Sequence, residues 1–414
     1  MIRRPFVILI LLTGLNLLNY LDRYVLSAVL PKIEAELALT KLVEGTAATV
    51  FLVGYFATSP MFGVLGDRGR RTRLMALGVA VWSLATLWSG LAAGKWSLLA
   101  SRAFVGIGEA SYATIAPTII DDLAPPERRG RWLSVFYTAM PVGSALGYLT
   151  GGFVEHAFGW RAAFFVAGGP GLMLALLCLA IVEPERRVVA KAKEPMLTAL
   201  RDLFPQRTYR RAVLGYAAYT FAIGGLAFWA PTFLYETFHL DLKTANFRFG
   251  MVTVIGGAIG TVLGGFLGDR AAKQNRGEGD PDRNASVGYL SVCAWSAAVG
   301  APLTAACFVA DSAGTFFSIA LACEIALFVS SSPINAAILR SVPEERRASA
   351  MALSIFAIHL FGDLWSPPLI GALADQFSMR AAMFLITVGF AVGAIIWFVP
   401  GKQLKKQANP ASAN

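Results

Sequence analysis

Apolar residues follow one another along this chain in twelve long runs, each separated from the next by a short polar segment. The approximate limits of the runs are 6–30, 45–66, 74–93, 96–120, 132–155, 161–182, 212–235, 248–268, 285–309, 314–339, 348–374 and 379–399. A helix needs about 20 apolar residues to cross a bilayer, whereas a barrel strand needs only about 10. Because the backbone must satisfy its own hydrogen bonds in lipid, the runs predict twelve transmembrane helices in an all-α membrane protein.

The composition agrees with this prediction. Of the 414 residues, 56% are hydrophobic and only 15% are charged, whereas a soluble domain carries about 25% charged residues. The net charge of +10 does not indicate a nucleic-acid partner, because the basic residues stand in short loops between apolar runs. The four cysteines also lie inside apolar runs, without the spacing of metal ligands, and are interpreted as buried thiols: Cys178, Cys293, Cys307 and Cys323.

Lysine and arginine divide unevenly between the two sides of the predicted bundle. If the N-terminus is cytoplasmic, 27 of them fall on the cytoplasmic side, seven on the outer side and two inside the spans. This excess predicts that both termini are cytoplasmic. The first run follows Arg3 and Arg4 like a signal peptide, but it lacks a small-residue cleavage site and is interpreted as a retained span.

Three short motifs occur twice, in the same order and at the same place in a six-span count. Gly63-Val-Leu-Gly-Asp-Arg68 matches Gly265-Phe-Leu-Gly-Asp-Arg270. Pro126-Glu-Arg-Arg129 matches Pro343-Glu-Glu-Arg-Arg347, and Arg161-Ala-Ala-Phe-Phe165 matches Arg380-Ala-Ala-Met-Phe384. Two parallel halves with a substrate cavity between them are therefore expected. The predicted division is 1–182 and 212–400 for two six-helix bundles, 183–211 for a basic cytoplasmic linker and 401–414 for a cytoplasmic tail.

Four ionisable residues lie inside the spans of the first half: Asp22, Arg23, Arg102 and Glu109. A charge in the bilayer core costs about 2.5–3.5 kcal/mol even on a lenient insertion scale, so such residues usually face a cavity or a partner. With a rise of about 1.5 Å per residue, Asp22 and Arg102 come to similar depths, while Glu109 lies deeper. We therefore expect Asp22 to meet Arg102, and Glu109 to lack a cation at its own level.

A lone buried carboxyl tends to take up a proton, because a low dielectric disfavours its charged form. This predicts proton coupling through Glu109, with Asp22 and Arg102 in the same site. The alternative is a carboxyl that stays protonated and hydrogen-bonded within the packing. Arg23 and Arg102 are expected to bind the substrate, because a guanidinium can hold a phosphate with two parallel hydrogen bonds.

Further polar residues in the spans are candidate substrate contacts. Along the first span a polar stripe runs on one face: Asn16, Asn19, Tyr20, Arg23 and Ser27. The stripe is either a cavity wall, with Asn19 and Tyr20 touching the substrate, or a hydrogen-bonded seam between helices. In the second half the candidates are Trp229, Glu324, His359 and Asp363. Packing is the alternative for Trp229, and for the His359–Asp363 pair at i, i+4.

Several segments carry a family resemblance over essentially the whole chain. Gly63-Val-Leu-Gly-Asp-Arg-Gly-Arg-Arg-Thr-Arg73 resembles the signature loop of the major facilitator superfamily. Asn19-Tyr-Leu-Asp-Arg23 and Gly106-Ile-Gly-Glu-Ala-Ser-Tyr-Ala-Thr-Ile-Ala-Pro117 resemble the Spinster family of that superfamily, which transports lysolipids and sphingolipids. Ser134-Val-Phe-Tyr-Thr-Ala-Met-Pro-Val-Gly-Ser144, His359-Leu-Phe-Gly-Asp363 and Ser366-Pro367 add to this resemblance.

The resemblance implies a fold, a function and a set of gating residues. The expected fold is that of the superfamily, and the expected function is proton-coupled transport of a lipid-like amphiphile, such as a lysophospholipid or a sphingolipid, by alternating access. Asp67 is expected to close the cytoplasmic gate against the N-terminus of span eleven, near Ser349. The gating set is Asp67, Arg68 and Arg71, with Asp269 and Arg270 in the second, degraded copy of the loop.

Other classes of protein find less support. Gly106-Ile-Gly lies inside a span and does not follow a strand, so it is no nucleotide loop. No nucleophile or metal cluster indicates an enzyme, and neither a cofactor nor a metal is expected. The alternative transporter is an organic-anion:proton symporter, because Tyr20, Asp22 and Arg23 also occur in that pattern in sugar-acid carriers. The expected state is a monomer in the inner (plasma) membrane, with protons, the lipid substrate and the bilayer as its only partners.

Overall fold

The computed structural model describes residues 2–125, 128–185, 196–275 and 280–398. Pro126 and Glu127 of the repeated motif, residues 186–195 of the predicted linker and the predicted tail at 401–414 lie outside the described residues. Within the described ranges the chain forms fifteen α-helices, and its β geometry is limited to an isolated bridge between Ile2 and Ile181. The predicted all-α fold class is thereby confirmed.

Each of the twelve predicted spans falls on helix. The first half contains α1 (Pro5–Leu37), α2 (Lys41–Arg68), α3 (Arg71–Gly90), α4 (Lys95–Leu123), α5 (Arg129–Phe158) and α6 (Trp160–Leu179). The remaining helices are α7 (Met196–Leu203), α8 (Arg207–Phe238), α9 (Leu242–Gln274), α10 (Pro281–Val309), α11 (Ala313–Phe328), α12 (Ser331–Arg340), α13 (Arg347–Ile358), α14 (Ser366–Gln376) and α15 (Met379–Trp397). In the described part of the chain, ten helical stretches are long and apolar enough to cross a membrane, and α3 and α5 take the places of the other two predicted spans.

Two of the predicted spans are interrupted, and prolines explain both interruptions. A proline ring clashes with the carbonyl four residues earlier and donates no backbone hydrogen bond. Span ten is divided into α11 and α12 around Val329, four residues before Pro333. Span eleven is divided by a π-helical turn, His359–Asp363, which ends four residues before Pro367. In that turn the backbone N–H of Leu364 donates to the carbonyl of His359 at 3.2 Å.

Several helices extend beyond their predicted boundaries, and α9 does so by six residues at each end. The first helix continues to Leu37, seven residues past its predicted end, and closes at Ala38, whose φ is +49° and whose N–H bonds back to Glu34. The predicted span ends at residue 30, before Pro31, but the helix accommodates this proline in its interior. The seventh span begins at Arg207, inside the predicted linker.

Contacts divide the chain into two compact units. The first unit contains Met1–Ala190, Phe228–Met251 and Pro367–Met379, and the second contains Lys191–Ala227, Val252–Ser366 and Arg380–Asn414. The first unit therefore holds all of α1 to α6, one end each of α8 and α9, and all of α14 except its first residue, Ser366. The predicted division into two six-helix bundles stays a prediction.

The first unit is held together by helices that approach closely. In it α1 packs on α5, α2 on α4, and α3 on both α4 and α6. A side chain at Gly106 of α4 would overlap the backbone carbonyl of Phe51 in α2, and one at Gly108 would overlap the backbone of Trp82 in α3. Small residues at such crossings permit close packing in membranes. The Gly106-Ile-Gly sequence therefore holds α4 tightly between two neighbours, immediately before Glu109.

In the second unit, the short amphipathic stretch of the predicted linker is the helix α7, which packs against α13. Leu203 of α7 is buried, and Asp202 forms an ion pair with Arg346 at 2.7 Å. The other long helices of this unit are joined by hydrogen bonds such as that from the Tyr219 hydroxyl to the carbonyl of Leu327, at 2.9 Å.

The close crossing of α4 predicts that Gly106→Ala lowers the thermal stability of the protein in detergent. Overpacking a well-packed site costs about 1–3 kcal/mol, so the midpoint of unfolding should fall by several degrees. Gly265→Ala in α9 is the matched control, because nothing lies within 4 Å of an added Cβ there. The control should leave the midpoint unchanged or raise it slightly, since alanine is a better helix former than glycine. Equal effects of the two changes would contradict the role of Gly106.

Candidate functional site

The central feature of the first unit is an ion pair between Arg23 of α1 and Glu109 of α4. Nη2 of Arg23 lies 2.7 Å from Oε2 of Glu109, the side chain of Glu109 is fully buried, and that of Arg23 is 28% exposed. The expectation that Glu109 lacks a nearby cation is therefore wrong. The depth of Arg23 was counted from residue 30, whereas α1 continues to Leu37, so Arg23 lies about 10 Å further from the end of its helix than expected.

A second pair of buried charges lies beside the first. Nη1 of Arg102 is 3.6 Å from Oδ1 of Asp22, and both side chains are almost completely buried. The other carboxylate oxygen of Asp22 accepts a hydrogen bond from the hydroxyl of Thr86 in α3. The predicted meeting of Asp22 and Arg102 is confirmed.

Aromatic rings cover the two guanidinium groups. The guanidinium carbon of Arg23 lies 4.8 Å from the ring centre of Phe51 and 4.9 Å from that of Tyr20, and the guanidinium of Arg102 lies 5.7 Å from Phe51. Such contacts stabilise each cation by about 0.5–2 kcal/mol. Phe51 therefore bridges the two like charges.

Phe51 and Thr86 were not predicted from the sequence as members of the site. Phe51 stands in a run of other apolar residues and carries no signal of its own. Thr86 does carry a sequence signal, because hydroxyl residues recur every three positions along this part of the chain, at Ser83, Thr86 and Ser89. That hydroxyl stripe indicated a face directed toward polar partners.

The four charges sum to zero, but their hydrogen bonds are incomplete. Among the described residues, Oε1 of Glu109 and Nε of Arg23 are buried and have no hydrogen-bond partner, and the same holds for Oδ1 of Asp22 and Nη1 of Arg102. A buried polar group without a partner costs about 1–3 kcal/mol. The site therefore has unused donors and acceptors that a proton, a water molecule or an anionic group can engage.

The polar stripe of α1 serves two purposes. Asn16 is buried and donates to the carbonyl of Phe136 in α5 at 2.9 Å, as expected of a seam between helices. Arg23 is partly exposed, as expected of a cavity wall. Asn19 and Ser27 are buried, and within the described residues Nδ2 of Asn19 has no partner.

The candidates of the second unit form their own small group. Nδ1 of His359 lies 2.9 Å from the carboxylate of Asp363, across the π-helical turn that Pro367 induces. Both side chains are partly exposed, at 28% and 22%. Glu324 in α11 is buried against Gly256 of α9. π-Helical turns occur frequently at functional sites, so a substrate contact of these residues stays a prediction.

Trp229 belongs to the first unit and has a packing role there. It is fully buried, and its indole N–H donates to the carbonyl of Pro367 at 3.0 Å. Its predicted contact with substrate stays a prediction.

Arg71 has partners inside the first unit. It pairs with Asp122 at the end of α4 at 2.5 Å and with Glu183, just after α6, at 2.9 Å. Glu183 also accepts from the N–H and hydroxyl of Thr72. Burial raises the pKa of Glu183, but the hydrogen bonds from Thr72 and Arg71 lower it by more than burial raises it. The pKa of Glu183 therefore lies below its usual value. This network ties α3, α4 and α6 together at one end.

The other predicted gating residues lie at helix ends. Asp67 and Arg68 are exposed at the end of α2. Asp269 and Arg270 are exposed near the end of α9, and Asp269 accepts a hydrogen bond from the hydroxyl of Tyr289 at 2.9 Å. A gating role for these residues and for Arg71 stays a prediction.

The cysteines agree with their interpretation as buried thiols, because all four are buried and free. In the described part of the chain, no group of three His, Cys, Asp or Glu side chains is placed to hold a metal ion.

Known proteins are similar to this chain in sequence. The family model described as Major Facilitator Superfamily matches residues 12–362. Protein spinster homolog 1 of Homo sapiens is 35% identical over 95% of this chain and 79% of its own length. An Arabidopsis thaliana protein named probable sphingolipid transporter spinster homolog 2 is 31% identical over 89% of this chain and 77% of its own length.

A solved structure has the same fold. The crystal structure of a bacterial homolog to the human lysosomal transporter Spinster, in an inward-facing and unoccupied conformation, superimposes with a TM-score of 0.84. The superposition covers 97% of this chain and 98% of the bacterial homolog, at 22% sequence identity. These matches confirm the expected superfamily fold, with its multi-pass helices. The chain therefore belongs to the Spinster family of the major facilitator superfamily and is a multi-pass membrane transporter.

Proposed function

We propose that this transporter moves a lipid-like amphiphile with an anionic headgroup and couples the movement to protons by alternating access. The observation that carries the proposal is the Arg23–Glu109 pair, in which a fully buried carboxylate neutralises a partly exposed guanidinium. The same group of charged residues then binds both the proton and the headgroup. The amphiphile is a lysophospholipid or a sphingolipid.

Charge balance supports the coupling to protons. The four charges of the site sum to zero, so one added proton leaves a net positive charge in a low-dielectric environment. Coulomb interactions there are several times stronger than in water, and this change can bias the protein toward one conformation. Glu109 is the group proposed to take the proton, because its second oxygen is buried and has no partner among the described residues. Asp22 and Arg102 complete its electrostatic surroundings.

Protonation of Glu109 also releases Arg23. The neutral carboxyl attracts the guanidinium far less, and Arg23 is the one member of the four with appreciable exposure. A guanidinium grips a phosphate through two parallel charge-assisted hydrogen bonds. Proton and anionic headgroup are therefore proposed to bind together. The names of the Arabidopsis relatives, probable sphingolipid transporters, support a lipid of this type.

The remaining parts of the proposal concern the chain of the lipid and the setting of the protein. Phe356 and Phe361, exposed in α13 and in the π-helical turn beside His359, are candidates for contact with the apolar chain. The distribution of lysine and arginine supports cytoplasmic termini. The proposed setting is a monomer in the inner (plasma) membrane, with Asp67 bracing the cytoplasmic gate.

The proton proposal is tested with Glu109→Gln in liposomes. The amide keeps the shape of the side chain but cannot take up a proton, so uptake of lysolipid driven by a pH gradient should fall to the level seen without a gradient. Exchange of lipid without a gradient should continue if the protein is folded. Glu345→Gln is the control, since Glu345 is exposed in the short turn Glu344–Arg346. Full response of the Glu109 variant to the gradient would assign the proton to Asp22, Glu324 or Asp363 instead.

The substrate proposal is tested by the headgroup dependence of binding. Arg23→Ala should weaken binding of a phosphate-bearing lysolipid about 10- to 100-fold and binding of its alcohol counterpart much less. Arg23→Lys should lie between, because an ammonium cannot form the paired bonds. Affinity should also rise with chain length, since each buried methylene contributes about 0.8 kcal/mol.

Two results would oppose this reading. Binding that ignores chain length, or equal effects of Arg23→Ala on both headgroups, would favour a small organic anion as the substrate. Arg207→Ala, at an exposed arginine that starts α8, controls for the loss of one positive charge.

A further inference from the structure

A groove of about 520 Å³ runs between the first half of α1 and the start of α5. Its floor and walls are almost entirely apolar: Phe6, Leu9, Ile10, Gly14, Leu17, Trp132 and Val135. Arg128 and Arg131 stand at its mouth, and both are exposed. Neither forms an ion pair among the described residues. Neither Arg23 nor Glu109 lines the groove, and the transport proposal does not use it.

The chemistry of the groove matches a membrane lipid. Its volume lies within the range of about 300–1,000 Å³ that is typical of ligand pockets. Arginines hold phosphates through paired hydrogen bonds, and basic pockets between spans on the cytoplasmic side bind anionic headgroups. Trp132 lies near the start of α5, at the predicted cytoplasmic end of its span, and tryptophan commonly anchors proteins at the membrane interface. The buried hydroxyl of Thr13, which also lines the groove, has no hydrogen-bond partner among the described residues and can donate to a lipid ester.

We propose that this groove binds an anionic phospholipid, with one acyl chain between α1 and α5 and the phosphate on Arg128 and Arg131. The lipid comes from the predicted cytoplasmic leaflet and is a resident of the site, separate from the transported amphiphile. Because α1 also carries Arg23, the occupant lies against a helix of the central site.

The test is native mass spectrometry of the purified protein with dioleoyl phosphatidylglycerol and dioleoyl phosphatidylcholine. Phosphatidylglycerol should bind more tightly, and the double change Arg128→Gln/Arg131→Gln should weaken its binding about tenfold or more. Gly14→Leu should weaken it with the arginines intact, because an added Cβ at Gly14 meets open space and a larger side chain fills the groove. Inorganic phosphate should not compete at matched ionic strength, since the chain contributes much of the binding.

Two variants serve as matched controls. Arg201→Gln/Arg207→Gln removes two exposed arginines elsewhere, and Gly265→Leu adds the same side chain at another open glycine. Both should bind phosphatidylglycerol like the wild type. Equal binding of the two lipids, or unchanged affinity in the Arg128/Arg131 or Gly14 variants, would overturn the proposal.

At the opposite end of the first unit, α1 ends and α2 begins. The distribution of lysine and arginine predicts that this end is the outer one. The carboxylate of Asp375 in α14 accepts hydrogen bonds from the backbone N–H groups of Lys41, at 2.8 Å, and Leu42, at 2.9 Å. These N–H groups open α2 and have no partner within the helix. An anion at this position is favoured by the helix dipole.

Close packing and ion pairs surround this contact. An added side chain at Gly45 of α2 would overlap the carbonyl of Pro367, and one at Gly371 of α14 would overlap that of Lys41. The ammonium of Lys41 pairs with Glu34 of α1 and Glu236 of α8, and Glu44 lies 3.9 Å from it. Segments from both predicted halves are thus joined at this end.

The contact has the same form as the gate predicted at the other end of the same helices. There, Asp67 at the end of α2 is expected to face the N-terminus of span eleven. Here, Asp375 at the end of span eleven faces the N-terminus of α2. We infer that Asp375 is an outer latch, built like the predicted inner latch of Asp67 but closed in the opposite state. This inference rests on the proposed alternating access.

Spin labels at Lys95→Cys and Asp311→Cys, exposed at the predicted outer ends of the two halves, test the latch by pulsed electron resonance. Asp375→Asn should raise the population with long outer distances, because it removes the anion from the helix end. Asp67→Asn should lower that population. Asp375→Glu keeps the charge and should stay closer to the wild type.

The outcomes separate the latch from the transport proposal. Two distance populations in the wild type support alternating access whatever the variants do. An unchanged distribution in Asp375→Asn, or a shift in the same direction as that of Asp67→Asn, would overturn the latch. Size-exclusion chromatography of each variant shows that it is folded.

Discussion

An ionised side chain inside a bilayer persists only with a partner, and the Arg23–Glu109 ion pair meets this requirement at the centre of the first unit. Glu109 is fully buried, so its charge depends on Arg23 lying at the same level of the bundle. Gly106 and Gly108 bring α4 close enough to α2 and α3 for this geometry. Phe51 then covers both guanidinium groups from α2. Much of the local packing is thus explained by the need to hold one ion pair.

The sequence predicted the fold class well, because apolar runs indicate membrane-spanning helices directly. It also located the four ionisable residues, since charges stand out in apolar runs. It failed on the pairing of Glu109, because depth was counted from an end of α1 that lies seven residues too early. The contact of Phe51 could not be predicted, because its partners are cations on other helices. Asp375 was missed because no local pattern shows that a carboxylate in α14 meets the first N–H groups of α2.

Glycines and a proline position the candidate residues of the two units in different ways. In the first unit, close crossings at glycines set the positions of Arg23 and Glu109. At the end of the second unit's segment Val252–Ser366, the next residue, Pro367, displaces the helical hydrogen bonding and produces the turn that pairs His359 with Asp363. The Ser366-Pro367 and His359–Asp363 motifs are therefore one structural feature, in which the proline determines the geometry of the charged pair.

The proposal depends most on one linkage: a proton binds Glu109 when an anionic headgroup binds Arg23. Calorimetry of lysolipid phosphate binding, repeated in buffers with different ionisation enthalpies, measures the protons taken up per lipid bound. If the headgroup takes Arg23 from Glu109, the buried carboxyl loses its cation and becomes protonated. The wild type should take up about one proton per lipid bound, over the pH range in which Glu109 is ionised before binding, and Glu109→Gln should take up none. Lipid binding without linked proton uptake in the wild type, across that pH range, would contradict this linkage.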